Sequence, residues 1–118
     1  MAETTLSRYY RTLDGGDIDT ALQLLDPELE FTIVLPAGTR RGKGREDMRG
    51  YLTGREVPDR AHVVLRESRD DDVEFLYGKV TDGGITTGRF LSGVRLGADG
   101  LITSYQVTFD LEHVLVEG

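Results

Sequence analysis

Residues 6–35, LSRYYRTLDGGDIDTALQLLDPELEFTIVL, decide the fold of this chain. Two sets of apolar residues recur in it at i, i+3, i+4 and i+7, the spacing that places side chains on one face of a helix. The sets are Leu6, Tyr9, Tyr10 and Leu13, followed by Ile18, Ala21, Leu22 and Leu25. Gly15 and Gly16 separate them, and glycine readily adopts the left-handed conformation that ends a helix. Because Asp17 then stands at an N-cap position, the stretch predicts helices over 3–14 and 17–25.

The remainder of the chain alternates apolar and polar residues in the manner of β-strands. The predicted strands are 29–35, 61–67, 73–81, 85–96 and 101–110, with a third helix over 45–52 and a glycine-rich loop over 36–44. Gly97-Ala-Asp-Gly100 predicts a hairpin turn between the last two strands. The order predicts an α+β fold of one domain, residues 1–118, with helices packed on one face of a mostly antiparallel sheet.

The last two strands indicate which face of the sheet the helices cover. The bulkier alternate residues of the last strand are assigned to the covered side: Leu101, Thr103, Tyr105, Val107 and Phe109. The preceding strand offers a matching set in Phe90, Ser92, Val94 and Leu96. Gly88 and Gly93 within it predict a bulge or bend that curls the sheet. A curled sheet closed by helices encloses a cone, and an unfilled cone is a pocket.

Composition narrows the class of protein. The 118 residues are 38% hydrophobic and 30% charged, as expected for a globular domain. The net charge of −7 argues against nucleic acid and against anionic membrane surfaces as partners, because both attract basic proteins. Cysteine is absent, so thiol chemistry is excluded. The first residues do not resemble a secretory leader, and a cytoplasmic protein is expected.

Several short motifs occur together in one order along the chain: Arg8-Tyr9-Tyr10-Arg11, Gly16-Asp17-Ile18-Asp19, Leu24-Leu25-Asp26-Pro27, the 44–52 helix, the Gly97–Gly100 hairpin and a final strand ending Phe109-Asp110. In these the sequence resembles the NTF2-like superfamily, in particular its SnoaL-like and ketosteroid-isomerase-like branch. The resemblance covers nearly the whole chain. It implies an NTF2-like (cystatin-like) cone, a fold that hosts isomerases, cyclases, dehydratases, epoxide hydrolases and non-catalytic binders.

The resemblance assigns known catalytic residues of the family to individual positions of this sequence. Ketosteroid isomerase uses an Asp base together with a Tyr and a protonated Asp at the oxyanion. By position these correspond to Ile33, Tyr9 and Ser92 here, and since Ile33 cannot accept a proton, that reaction is not expected. The Asp–Arg–Asp set of the epoxide hydrolases is incomplete around Arg89. The acidic residue that SnoaL-type cyclases use near the end of the sheet corresponds best to Asp110.

The candidate site residues each have a structural alternative. Tyr9 is expected to donate a hydrogen bond into the pocket, or else to be a core aromatic. Asp110 is a candidate general acid/base at the pocket mouth, with a pKa raised by desolvation, or else the N-cap of a terminal helical turn over 111–116. His62 lies on a strand of which either face can be the inner one, and a surface or rim position is expected. Two distant histidines without an acidic cluster do not predict a metal site.

The sequence thus predicts an apolar cavity that binds a small hydrophobic molecule of polyketide, terpenoid or steroid type. If the protein is an enzyme, cofactor-free acid/base chemistry is expected, with Asp110 and Tyr9 catalytic. The predicted pocket residues are Ile33, His62, Phe90, Ser92, Tyr105, Val107 and Phe109. The alternative is a non-catalytic ligand-binding or dimerisation module, with a homodimer formed through the outer sheet face around Leu91 and Ile102. The loop residues Arg40, Arg41 and Lys43 are interpreted as solvated, or alternatively as an anion-binding lid over the cone.

Overall fold

A computed structural model describes residues 3–55 and 59–118. Its helices are α1 (Thr5–Asp14), α2 (Ile18–Leu22) and α3 (Arg45–Thr53). Its strands are β1 (Leu25–Leu35), β2 (Gly38–Lys43), β3 (Arg60–Asp70), β4 (Val73–Asp82), β5 (Ile85–Leu96) and β6 (Ile102–Asp110). The strands form one sheet in the order β2-β1-β6-β5-β4-β3, in which only β1 and β6 run parallel. The predicted α+β architecture, with helices on a curved and mostly antiparallel sheet, is confirmed.

The helices cover one face of this sheet from two sides. Helix α1 packs on β3, β4 and α2, whereas α3 packs on β1, β2 and α2. The buried side of α1 carries Leu6, Tyr9, Tyr10 and Leu13, as the sequence periodicity predicts. The hydrophobic core therefore lies between the helices and the inner sheet face, and α1 and α3 border the cone interior.

The structure corrects the predicted ends of two elements and one predicted loop. Helix α2 ends at Leu22, and β1 already begins at Leu25, because the chain there pairs with β6 before a register shift between Leu25 and Glu30. Residues predicted as a loop form β2, which pairs with β1 as an edge strand. Gly42 is needed there, since a Cβ would come within 2.2 Å of the Phe31 ring.

The faces of the last strand follow the prediction only in part. Tyr105 and Val107 are buried on the inner face, as expected, but Ile102 is also fully buried. A register shift between Arg95 and Leu96 reverses the alternation near the start of β6. Ile102 therefore does not belong to the outer face. A further shift lies opposite Gly88, where the sequence predicted a bulge.

The N-terminus of α1 is held to the sheet by two carboxylates. Glu74 of β4 is 1% exposed and accepts hydrogen bonds from the backbone amides of Thr5 (3.1 Å) and Leu6 (2.9 Å). Glu67 of β3 accepts from the amide of Thr4 (3.0 Å) and the hydroxyl of Ser7 (3.2 Å). Helix amides that lack intrahelical partners thus receive anionic acceptors at the positive end of the helix dipole. These contacts fix the position of α1, and with it that of the tyrosines in the cone.

At the other end of the chain the predicted helical turn over 111–116 is absent, and this segment is irregular. Asp110 Oδ1 instead accepts from the amides of Glu112 and His113, both at 2.8 Å, in a local turn. No helix within the described residues is long and apolar enough to cross a membrane.

Candidate functional site

Three buried tyrosines form the polar centre of the cone. Tyr9 and Tyr10 project from α1, and Tyr105 projects from β6. The Tyr10 and Tyr105 hydroxyls lie 2.5 Å apart and share a hydrogen bond. The ring of Tyr9 lies 5.5 Å from that of Tyr10 and 5.9 Å from that of Tyr105. Each ring is therefore positioned by the other two as well as by its own element.

Burial raises the pKa of Tyr9, Tyr10 and Tyr105 well above the ordinary value for a phenol, because each is enclosed by protein and a phenolate would be desolvated. The nearby Ser92 hydroxyl and Tyr105 oppose this shift only in part at Tyr10. The three phenols therefore remain neutral at physiological pH. In that state they can donate hydrogen bonds, but they do not serve as bases.

A histidine–aspartate pair lies next to the tyrosines. His62 is the third residue of β3, and its side chain is 2% exposed. Its Nδ1 lies 2.8 Å from Oδ1 of Asp14, the last residue of α1, while its backbone amide donates to Asp14 Oδ2 at 2.6 Å. One carboxylate thus fixes both the backbone and the ring of His62. With a proton on Nδ1 donated to Asp14, Nε2 is the basic nitrogen of the ring.

Aromatic rings hold the His62 imidazole from several sides. It stacks on Tyr10 with centroids 4.5 Å apart, meets Phe90 edge-on at 5.2 Å, and lies 6.4 Å from Phe109. Phe90 fits because Gly78 lies opposite it on β4, where a Cβ would come within 2.7 Å of the ring. The packing and the Asp14 contact together leave the imidazole a single orientation.

The space enclosed by these side chains is small. The cavity has a volume of about 20 Å³, enough for about one water molecule. Its lining comes from α1, β1, α3, β3, β6 and the residue after Gly54: Tyr9, Tyr10, Leu13, Ile33, Met48, Tyr51, Leu52, Arg55, His62, Tyr105, Val107 and Phe109. The structure therefore corrects the expected open, apolar hollow, because large aromatic side chains nearly fill the cone.

Three lining residues are only half-buried and mark the side of the cavity that faces solvent: Tyr51, Arg55 and Phe109. The Arg55 guanidinium carbon lies 5.9 Å from the centre of the Tyr51 ring, a cation–π distance. Arg55 Nε is buried and has no hydrogen-bond partner among the described residues. A cationic side chain with an unused donor thus lies at the cavity edge.

Most of the predicted pocket residues meet around this cavity. Those that line it are Tyr9, Ile33, His62, Tyr105, Val107 and Phe109. Phe90 and Ser92 are buried behind the lining. Ser92 Oγ lies near Tyr10 but has no hydrogen-bond partner of acceptable geometry among the described residues. The rim position expected for His62 is wrong, since β3 turns its side chain into the cone.

Asp110 does not have the placement expected of it. It is exposed, does not line the cavity, and is the last residue of β6, directed away from the inner face. Hydrogen bonds from the amides of His113 and Glu112 lower its pKa, where desolvation was expected to raise it. A carboxylate held in its charged form outside the cone has neither the position nor the proton affinity of the predicted general acid/base.

Two charged residues of this site, Asp14 and Arg55, were not among the site residues predicted from the sequence. Asp14 carried a usable signal, because an acidic residue in the last turn of a helix is unfavourable next to the negative end of the dipole. Such a residue indicates a partner outside the helix, here His62. Arg55 carried no signal, because it follows a helix in a polar segment and resembles a solvated surface residue.

Solved structures share this fold across most of the chain. An NTF2-like protein of unknown function from Cytophaga hutchinsonii is 21% identical, with 93% of each chain covered and a TM-score of 0.70. A proposed ketosteroid isomerase from Kribbella flavida is 22% identical, with 97% of this chain and 81% of that chain covered and a TM-score of 0.72. IdmH, a proposed polyketide cyclase from Streptomyces antibioticus, is 21% identical, with 90% and 89% covered and a TM-score of 0.71. At such identities the likeness concerns the fold.

A comparison with curated proteins gives no significant match. The sequence profile of the SnoaL-like domain does match, over residues 6–105. This segment runs from the first buried residue of α1 to Tyr105 in β6, and so includes the three tyrosines, Asp14, Arg55 and His62. The chain belongs to the SnoaL-like domain family, within the NTF2-like fold.

Proposed function

We propose that this protein is a cofactor-free acid/base enzyme that moves a proton on a small, mostly apolar molecule carrying a carbonyl group. The observation that supports this most is the His62–Asp14 pair, buried beside three neutral tyrosines at one cavity. Histidine is the side chain most often used as general acid or base. Asp14 takes the place of the third group that orients such a base.

In the proposed reaction His62 Nε2 removes a proton from a carbon next to the carbonyl. The electron pair of that C–H bond forms the enolate, whose negative charge resides mainly on oxygen. A phenol of the cone, Tyr9 or the Tyr10–Tyr105 pair, donates a hydrogen bond to that oxygen. The imidazolium formed at His62 is stabilised by the Asp14 carboxylate at 2.8 Å.

The proton then has two possible destinations. In an isomerisation the imidazolium returns it to a different carbon of the same molecule. In a cyclisation the enolate carbon attacks a second carbonyl of the same molecule, and the imidazolium protonates the resulting alkoxide. Both outcomes use the same base and the same donors, and neither requires an oxidant, reductant or metal.

The volume of the cavity limits how much of the substrate can enter the cone. A space of about 20 Å³ admits a carbonyl group but not a whole ligand. Tyr51 and Arg55, half-buried at the solvent side, are the side chains that must rotate to admit more. The reacting carbonyl is therefore expected to enter the cone while the rest of the molecule lies toward α3.

The test uses deuterium exchange at carbon, with 2-tetralone as a small apolar ketone probe. Proton NMR in deuterated buffer follows the loss of the hydrogens next to the carbonyl. Wild-type protein is expected to accelerate this loss, and His62→Gln to reduce the acceleration by about a hundredfold, the range typical of a lost general base. His113→Gln, which changes an exposed histidine, is the matched control and is expected to retain the wild-type rate.

A folded His62→Gln variant that exchanges the probe at the wild-type rate would overturn the assignment. The second candidate is a non-catalytic ligand-binding or dimerisation module. It is favoured by the small cavity and by Ile33 at the position of the base in ketosteroid isomerase. It predicts no acceleration by wild-type protein, together with retention of small molecules from a mixed extract, identified by mass spectrometry after unfolding.

A further inference from the structure

A groove lined by three arginines lies next to the cavity, on the side of α3. Its volume is about 370 Å³, within the range of small-molecule sites. The arginines come from three separate elements: Arg40 from β2, Arg55 from the residues after α3, and Arg60 from the start of β3. Leu35, Tyr51 and two glycines, Gly50 and Gly54, complete the lining. No carboxylate lines the groove among the described residues.

Among residues 3–55 and 59–118, the charges around the groove leave one arginine without a carboxylate partner. Arg40 donates to Asp47 at 2.7 Å, and Arg60 binds Asp82 through two nitrogens at 2.8 and 3.2 Å. No carboxylate among the described residues pairs with Arg55, and its buried Nε donates to none of them. Counted over the described part of the chain, the groove therefore carries an excess positive charge on a protein whose net charge is −7. A buried donor without an acceptor is costly, and an anion placed there would remove that cost.

The groove and the cavity share a wall. Tyr51 and Arg55 line both, so that a molecule in the groove lies against the same two side chains that close the cone. The aromatic cavity with its neutral phenols suits an uncharged part of a molecule, whereas the arginine groove suits an anionic one. The two environments meet at the guanidinium of Arg55.

We infer that the ligand of this protein is an amphiphilic anion, whose carboxylate or phosphate head binds in the arginine groove at Arg55 while its apolar body faces the cone. This rests on the proposed function for the direction of the apolar body. Arg55 provides the main charge-assisted hydrogen bonds, and Arg40 and Arg60 contribute their remaining donors. Arg40, interpreted from the sequence as solvated or alternatively as part of an anion-binding lid, lines this groove while one of its nitrogens donates to Asp47.

The test compares three probes with one apolar body: 4-phenylbutyrate, its neutral amide 4-phenylbutyramide, and 4-phenylbutyl phosphate. Their dissociation constants are measured by isothermal titration calorimetry with the intact chain. The carboxylate is expected to bind about tenfold more tightly than the amide, the effect of one or two charge-assisted bonds. The phosphate arm shows which head group the groove prefers, and tighter binding of either anion over the amide supports the inference.

Arg55→Met removes the charge at similar length and is expected to abolish the preference for anions over the amide. Arg69→Met, at an exposed arginine of β3, is the matched control and is expected to keep it. Equal affinity of wild-type protein for acid, phosphate and amide would overturn the inference, as would an unchanged preference in folded Arg55→Met. The deuterium-exchange test uses a neutral ketone, so that failure of the acid/base proposal is seen separately from failure of the anion site.

Discussion

At the scale of single residues, the environment of a side chain determines its role more than its identity does. Asp110 and Asp14 are both aspartates at the end of an element. Asp110 is exposed and accepts hydrogen bonds from the backbone amides of His113 and Glu112 in its own turn, which lower its pKa. Asp14 reaches across to β3 and binds the ring and the backbone of a buried histidine. Of the two, only Asp14 can orient a group inside the cone.

The first prediction concerns Asp14. Asp14→Asn retains the size of the side chain but removes the charge that orients and stabilises the His62 ring. Deuterium exchange of 2-tetralone is expected to fall by at least tenfold, and the free energy of unfolding by about 1–2 kcal/mol, since a charge-assisted hydrogen bond is replaced by a neutral one. Urea denaturation and the exchange assay measure the two effects. Asp70→Asn, at the exposed last residue of β3, serves as control. Unchanged exchange in folded Asp14→Asn would remove Asp14 from the site.

At the scale of elements, α1 is the part on which the site depends most. It contributes Tyr9, Tyr10 and Asp14, and its N-terminus is bound by carboxylates from β3 and β4. Leu6 and Glu74 are 68 positions apart in the sequence, so this attachment is wholly tertiary. A shift of the helix along its axis would displace the phenols and the partner of His62 together.

The second prediction therefore concerns Glu74. Glu74→Ala is expected to lower the free energy of unfolding by about 3 kcal/mol, because two helix amides lose a buried anionic acceptor. Glu117→Ala, at an exposed residue near the C-terminus, is expected to change it by less than about 0.5 kcal/mol. Chemical denaturation followed by circular dichroism gives both values. Equal stabilities of the two variants would contradict the role assigned to Glu74 at the start of α1.

At the scale of the whole molecule, the same packing that encloses the tyrosines makes the protein sensitive to alkali. Burial raises the pKa of Tyr9, Tyr10 and Tyr105 above their values in the unfolded chain, which are about 10. Below that pH the phenols are neutral in both the folded and the unfolded state, and the burial of these tyrosines contributes its full stabilisation to the folded protein. Above it the unfolded chain loses protons that the folded protein retains, so unfolding becomes more favourable.

The third prediction concerns the fall in the free energy of unfolding with rising pH. Between about pH 10 and the folded-state pKa values, each buried tyrosine lowers the free energy of unfolding by about 1.4 kcal/mol per pH unit. Urea denaturation at a series of alkaline pH values measures the slope, and phenolate absorbance reports ionisation in the folded protein. Tyr105→Phe is expected to reduce this slope by the contribution of one buried tyrosine, about 1.4 kcal/mol per pH unit. Ionisation of all the phenols near pH 10 in the folded state would contradict the burial argument.

The fourth prediction concerns the outer face of the sheet, where a homodimer interface is expected. Phe75 and Leu91 are 47% and 53% exposed there and border one shallow groove of about 390 Å³. If a second copy covers this face, size-exclusion chromatography with light scattering gives a dimer mass, and Leu91→Arg shifts it to the monomer mass. Ile85→Arg, at an exposed apolar residue where β5 begins, is the control and leaves the mass unchanged. A wild-type monomer contradicts the expectation.

Local patterns in the sequence were sufficient for most of the fold. The 3.6-residue periodicity placed Tyr9 and Tyr10 on the buried side of α1, and strand alternation placed Tyr105 and Val107 on the inner face. These predictions succeed because such periodicities depend only on neighbouring residues. They failed at β2 and at Ile102, where pairing with a distant strand and a register shift decide the conformation.

The sequence by itself determined the architecture, the buried face of α1 and the aromatic character of the cone. Only the tertiary structure decided which polar groups face one another inside it. Asp14 and His62 are 48 residues apart, and Arg55 reaches the cavity from an unremarkable segment after α3. Hydrogen bonds of this kind depend on how α1, α3 and the sheet pack together, and no local pattern records that packing. For the same physical reason the sequence predicted an unfilled apolar cone, whereas side chains from five elements and from Arg55 nearly fill it.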